Sequence, residues 1–306
     1  MRAWLEGHAH RYKIILRFGP PIQAPQYDHV HAAPAAYNCS ATRIRHRRFE
    51  VQQPAPQWLE VGQGEERRRI AHLYQDGTGA PVVWLGGFVS DMRATKAEAL
   101  ASWAGAAGRS FLRFDYAGHG ESSADFARWT ISHWLEDALA VIAARCKSRP
   151  ILVGSSMGGW LALLAARKLQ GTALAPSGMV LIAPAVDFTE ELMWARMPED
   201  IRNTIMSEGA WLRQSAYSPD PTPITRKLIE DGRRHLMFGG EIRTGCPVHI
   251  LQGMKDPDVP WQQAVKLVEH LSGDPVVLTL IKDGDHRLST PSDLARLQAA
   301  IAGMAA

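Results

Sequence analysis

The stretch Gly154-Ser155-Ser156-Met157-Gly158 sets one serine, Ser156, two residues from a glycine on either side. A short apolar run, Ile151-Leu152-Val153, precedes it, and a helical pattern from Met157 to Leu169 follows at once. A strand that passes into a helix over so little chain must turn tightly. Such a turn strains the serine backbone, and glycines at 154 and 158 relieve clashes with the adjoining strand and helix. The hydroxyl then stands clear at a sheet edge and a helix N-terminus, where a nucleophile belongs. Ser155 has the wrong phase for this role and reads as a supporting residue.

A serine hydroxyl is a poor nucleophile near neutral pH. It needs a base to take its proton and an acidic group to orient that base. On a strand–turn–helix serine the acid and base are expected later in the chain, in that order. Asp256 follows the apolar run Val248-His249-Ile250-Leu251, at the carboxyl end of a strand. His286, in Gly284-Asp285-His286, follows the last apolar run, Val276 to Ile281. Asp258 and Asp187 are alternative acids, the first as a turn or capping group by default, the second after an earlier strand. Asp285 reads as a loop-stabilising neighbour. His119 sits in a tight turn, and His72, His133, His235 and His249 lack a loop at the end of the last strand.

Attack on a carbonyl builds negative charge on its oxygen. Backbone N–H donors aimed at that oxygen lower the barrier by about 3–4 kcal/mol each. Met157, next after the nucleophile, is the first expected donor. Phe88, in the loop Leu85-Gly86-Gly87-Phe88-Val89-Ser90 after an early strand, is the second by phase. Asp115-Tyr116-Ala117-Gly118-His119-Gly120-Glu121-Ser122 follows the next strand and reads as a structural turn beside the serine.

These parts need a scaffold. Gln57 to Val61 and Arg67 to Leu73 alternate about Gly62-Gln63-Gly64, as an antiparallel hairpin does. Short apolar runs then alternate with helical patterns. Strands are predicted at 81–85, 110–114, 151–153, 179–182, 248–251 and 276–281. Helices are predicted over 92–106, 130–145, 157–169, 261–271 and 291–302. The alternation predicts an α/β fold, a mostly parallel sheet with helices on both faces. It breaks between Asp187 and about Ile242, a polar segment that reads as helical in pieces and as a small helical cap over the sheet's carboxyl edge. Residues 1–48 are rich in His, Pro, Ala and Arg without sustained period, and predict a disordered basic tail ahead of a domain at 49–306.

The 306 residues are 46% hydrophobic and 21% charged, with a net charge of +3 concentrated in that tail. No basic stripe interleaved with aromatics runs through the body, so no nucleic-acid partner is expected. No apolar run reaches the length of a membrane span. Cys39, Cys146 and Cys246 are far apart and share no metal-ligand spacing, which fits a reduced, cytoplasmic setting. An Arg-rich, acid-poor leader would alternatively address a mitochondrial matrix.

Four motifs now stand in order: Asp115-x-x-Gly118-x-Gly120-x-Ser122, Gly154-x-Ser156-x-Gly158, Gly253-x-x-Asp256-x-x-Val259-Pro260 and Gly284-Asp285-His286. Together they resemble the α/β-hydrolase superfamily over about Trp58 to the C-terminus. Gly154-Ser155-Ser156-Met157-Gly158-Gly159-Trp160, Gly253-Met254-Lys255-Asp256 and Asp285-His286-Arg287 look like the palmitoyl-protein thioesterase and acyl-glucuronide esterase subfamily and its bacterial relatives. The resemblance implies hydrolysis of small-molecule esters or thioesters, or of S-acylated protein, with Ser156, Asp256 and His286 as a triad. No metal or cofactor is implied. Gly86 departs from the wider superfamily, where many members carry His before the oxyanion glycine. Met193, Trp194 and Trp211 are candidates to line an apolar acyl pocket, or equally to form the small core of the cap.

Overall fold

The computed structural model describes residues 12–17, 54–215 and 218–304. Its centre is a nine-stranded sheet. In chain order the strands are β1 (Tyr12–Arg17), β2 (Gln57–Val61), β3 (Arg68–Gln75), β4 (Thr78–Leu85), β5 (Arg109–Phe114), β6 (Ile151–Ser155) and β7 (Gly178–Ile182). The strands β8 (Ala210–Ser215) and β9 (Ser218–Thr225) form a separate hairpin, and β10 (Val248–Gly253) and β11 (Val276–Ile281) return to the sheet. The sheet order is β1-β11-β10-β7-β6-β4-β5-β3-β2. Within it β3 alone runs against the others, pairing antiparallel with β2 and β5.

The period of two within each strand decides the two cores. On β4, Val83 and Leu85 face one layer while Val82 and Trp84 face the other. On β6, Leu152 separates in the same way from Ile151 and Val153. Both faces are therefore covered, which is why these strands read as near-continuous apolar runs. One layer holds α1 (Thr95–Ala106), through Ala97, Leu100 and Ala104, and α7 (Pro291–Met304), through Leu297, Ala300 and Ile301. The opposite layer holds α2 (Ile131–Arg145), α3 (Met157–Leu169) and α6 (Trp261–His270). Each fully buried large apolar side chain there contributes about 1.5–3 kcal/mol.

A buried ion pair ties the hairpin edge to this second layer. Arg68 Nε donates to Asp137 Oδ1 at 2.7 Å, with both side chains fully buried. The other Asp137 oxygen accepts the Ala117 amide at 2.9 Å.

Three differences from the sequence reading have physical causes. The first helix begins at Thr95 rather than Met92. The carboxylates of Asp115 and Asp91 capture the amides of Met92 and Arg93, and so hold a turn there. Tyr12–Arg17, placed by the sequence reading in a disordered tail, forms a strand parallel to β11. Its Tyr-Lys-Ile-Ile-Leu-Arg run suits a pleated strand and pairs the edge that β11 otherwise leaves open. The rest of the 1–48 expectation lies outside the described residues.

The third difference is in the segment between β7 and β10. It is helical in pieces, as expected: a π-turn at Thr189–Met193, then α4 (Glu199–Glu208) and α5 (Arg226–Gly232). It also contains the β8–β9 hairpin, with Trp211 opposite Ile224 and Leu212 opposite Pro223. Three prolines in Ser-Pro-Asp-Pro-Thr-Pro-Ile-Thr argue against a strand in a large sheet. A two-stranded ribbon tolerates them because each strand is an edge, with one side free of ladder bonds.

This segment is fastened to the body. Ser132, at the start of α2, donates its amide and hydroxyl to Asp231 at 2.8 and 2.7 Å. Asp187 accepts the amides of Met237 at 2.9 Å and Phe238 at 3.0 Å. Among the described residues, no helix is long and apolar enough to cross a membrane.

Candidate active site

Ser156 lies between β6 and α3 with φ 53° and ψ −119°. Positive φ is a rare state for a non-glycine residue and costs of order 1–3 kcal/mol. Three backbone bonds hold it. The Ser156 amide donates to the Ile182 carbonyl at 2.9 Å, and the Ser156 carbonyl accepts from Gly159 at 2.9 Å and Ala185 at 3.1 Å. The flanking glycines are obligatory by contact. A Cβ at 154 would lie 2.3 Å from the Gly158 carbonyl oxygen, and one at 158 would lie 2.0 Å from that of Leu85. Ser155 is buried and pairs with Ile182 in the β6–β7 ladder.

The loop after β4 runs beside the serine. A Cβ at Gly87 would lie 3.4 Å from the Ser156 Cβ. Phe88 follows directly, and its ring is locked among Phe126, Trp134 and Phe188 at centroid distances of 5.2, 6.0 and 5.5 Å. Val89 has φ 57° and the Ser90 amide closes a turn on Gly87 at 3.2 Å. Met157 is the first residue of α3, where helix amides have no intrahelical acceptor. Met157 thus adjoins Ser156 at the helix start, and the Phe88 loop passes Ser156 at Gly87.

The loops after β10 and β11 are joined at their roots. A Cβ at Gly253 would lie 2.4 Å from the Gly284 carbonyl oxygen, so the two chains touch through backbone. The Met254 amide donates to Ile281 and the Lys255 amide to Gly284, each at 2.9 Å. Above this contact His286 Nδ1 bonds Asp256 Oδ2 at 2.8 Å. The Asp256 side chain is fully buried, while that of His286 is 18% exposed. Asp256 Oδ1 accepts the amides of Asp258 and Val259, both at 2.9 Å. These bonds fix the carboxylate's plane and turn its other oxygen toward the imidazole.

The competing acids occupy other positions. Asp187 has φ 56° and is buried. Its carboxylate is committed to the Met237 and Phe238 amides, and burial pushes its carboxyl up. Asp285 accepts the Leu288 amide at 2.9 Å and so stabilises its own loop. Ligand atoms of Asp256, Asp258 and His286 lie within 4.8 Å of one another, a spacing that could hold a cation. The Asp256 oxygens, however, are already directed to two backbone amides, the Gln252 amide nitrogen and a ring nitrogen, which is the geometry of an orienting bond.

The Asp115 turn proves a brace. Its carboxylate accepts Met92 at 2.6 Å and Glu121 at 2.8 Å, and the Ser122 hydroxyl donates to its carbonyl at 2.6 Å. Burial pushes the Asp115 carboxyl up to about 6. His119, in the same turn, packs edge-on to Trp134 and Tyr116, and burial draws its imidazole down to about 4.

Met193 is buried, and Trp194 and Trp211 pack partly buried on the same apolar cluster. Arg233 lies 5.0 Å over the Trp194 ring. Gln252 was missed by the sequence reading. It is fully buried, and its amide nitrogen donates to the carbonyls of Gly253 and Val259 at 3.0 Å and to Asp256 Oδ2 at 3.3 Å. Its signal was present: a polar residue at an inward position of the apolar strand Val-His-Ile-Leu-Gln-Gly.

The profile of the family described as "Alpha/beta hydrolase family" matches residues 77–297. Among curated proteins, "Palmitoyl-protein thioesterase ABHD10, mitochondrial" of Bos taurus is 30% identical over 250 residues, 78% of this chain and 80% of its own length. A protein of Agrobacterium vitis S4, whose crystal structure carries a hydrolase description, is 48% identical. It covers 83% of this chain and all of its own, with a TM-score of 0.80. The structure of alpha/beta hydrolase domain-containing protein 10 from mouse is 29% identical, with a TM-score of 0.71. It covers 81% of this chain and 98% of its own.

Proposed function

Because the chain belongs to the alpha/beta hydrolase family, we propose that it is a serine hydrolase cleaving carboxylic thioesters or esters through Ser156, His286 and Asp256. The observation that carries this reading is the 2.8 Å bond from His286 Nδ1 to a fully buried Asp256 carboxylate, on the loop pair that follows β10 and β11. With Nδ1 engaged, Nε2 is the nitrogen left to take the Ser156 proton. Ser156 attacks the acyl carbonyl, and the amides of Met157 and Phe88 stabilise the oxyanion. The proton on His286 passes to the leaving thiol or alcohol. A water deprotonated by His286 then attacks the acyl-enzyme, the acid leaves, and His286 returns the proton to the Ser156 oxygen. The balance closes without metal or cofactor.

The thioester preference follows the relatives, which are named palmitoyl-protein thioesterases. Small-molecule acyl esters and S-acylated protein are both proposed substrates. The segment 187–242 acts as the cap in this reading, with Met193, Trp194 and Trp211 next to the acyl chain. The relatives' mitochondrial names support a mitochondrial location as the alternative to a cytoplasmic one. Ser156→Ala tests the assignment against a p-nitrophenyl ester and an acyl-thioester. A rate near wild type on either substrate rejects it, as does failure of a fluorophosphonate probe to mark Ser156. A series of acyl lengths on thioester, oxygen ester and acyl glucuronide then ranks the substrates.

A further inference from the structure

The loop that carries His286 contains a strained residue. Leu288, two positions on, has φ 44°, an outlier for a bulky side chain. That side chain is buried in the apolar cluster that also holds Leu251, Ile281 and Leu297, and its burial offsets the strain. The peptide joining Arg287 to Leu288 sets this dihedral. Rotating its plane would return Leu288 to negative φ and re-aim the chain beneath His286.

Both polar atoms of this peptide are held. The Leu288 N–H donates to Asp285 Oδ1 at 2.9 Å. The Arg287 carbonyl accepts from Nζ of Lys96 at 2.5 Å. Lys96 stands in the first turn of α1, the helix that follows the Phe88 loop. One ammonium therefore joins the helix that follows the Phe88 loop to the loop that carries His286.

We infer that Lys96 is a positioning residue for the hydrolytic reaction, its ammonium fixing the Arg287–Leu288 peptide and, through it, the imidazole of His286. The inference rests on the reading of His286 as the base. Its chemistry is a charge-assisted bond, about twice as strong as a neutral one, on the peptide whose rotation would release the strain. Burial, the largest influence, draws the Lys96 ammonium down to about 8. Asp285 and Asp293 hold it up, and Arg287 pushes it lower. The bond is fully charged below that pH and loses its charge above it. The rate should then fall on an alkaline limb that an arginine, charged throughout, removes.

Steady-state kinetics on a p-nitrophenyl ester across pH 6–10 test this. Lys96→Met should lower kcat about tenfold or more with little change in KM, as a small displacement of a catalytic group does. Lys96→Arg should restore most of kcat at pH 7 and abolish the fall near pH 8. A wild-type kcat in Lys96→Met, a loss confined to KM, or an alkaline limb unmoved in Lys96→Arg overturns the inference. Should thermal unfolding show that Lys96→Met does not fold, the Lys96→Arg profile decides alone. His286→Ala separates the two readings. If it keeps wild-type activity, the base assignment fails. If it is inactive while Lys96→Met is unimpaired, only the role of Lys96 fails.

Discussion

His286 Nδ1 stands 2.8 Å from Asp256 Oδ2, while the second oxygen of that carboxylate holds the amides of Asp258 and Val259. The imidazole is thus bonded to a carboxylate that cannot turn away. Asp256→Asn keeps the acceptor for the two amides but presents an amide N–H to Nδ1. The ring then carries its proton on Nε2 and cannot take one from Ser156. We expect kcat to fall by about 10³–10⁴, with the fold unchanged by circular dichroism. A loss smaller than tenfold would mean that another group orients the histidine.

Gly158→Ala should destabilise the fold directly. The added carbon would lie 2.0 Å from the Leu85 carbonyl and 2.5 Å from that of Gly86, both backbone atoms with no rotamer to yield. A loss of at least about 2 kcal/mol in urea unfolding is expected, together with lost activity. A variant as stable as wild type would show that β4 moves freely away from α3.

The pair Arg68–Asp137 predicts a loss of stability away from the site. Asp137→Ala leaves the fully buried Arg68 side chain with only the half-exposed Glu136 carboxylate, at 2.6 Å, as its charge partner and orphans the Ala117 amide. The expected cost is about 3–5 kcal/mol in denaturant unfolding. Replacing both members by apolar residues of similar volume should recover much of it. No recovery in the double variant would point to the Ala117 contact as the greater part.

His119 predicts a pH dependence of stability. Its imidazole is drawn from 6.5 to about 4 by burial, so the unfolded chain binds a proton that the folded chain refuses. Stability from this source is complete above about 6.5 and is lost as pH falls toward 4. His119→Phe removes the group. The difference in unfolding free energy between variant and wild type should grow by up to about 3 kcal/mol between pH 7.5 and pH 4. A difference constant with pH would show that protonated His119 is accommodated.

The sheet and the layered helices were legible because strands buried on both faces leave apolar runs, and Val82-Val83-Trp84-Leu85 is such a run. The 154–158 turn was legible because its glycines answer a steric demand within four residues. The pairing of Asp256 with His286 followed from order along the chain. What sequence could not give depends on partners distant in the chain. The β8–β9 hairpin hides behind prolines that only an edge position allows. Tyr12–Arg17 is a strand because β11 has an open edge, a fact no local pattern carries. Lys96 meets Arg287 across 191 positions, and Asp187 shows its use only when Met237 and Phe238 return to it.

That last contact makes Asp187 a clasp. The segment between β7 and β10 departs beside this residue and comes back to bond its carboxylate, so its two ends meet at one point. The chain between can lengthen, shorten or be exchanged without altering the span that the neck must bridge. Ser156 precedes the clasp, whereas Asp256 and His286 follow it. The Asp187 neck therefore marks where to splice when grafting a different hood, from another member of the family, onto this chassis.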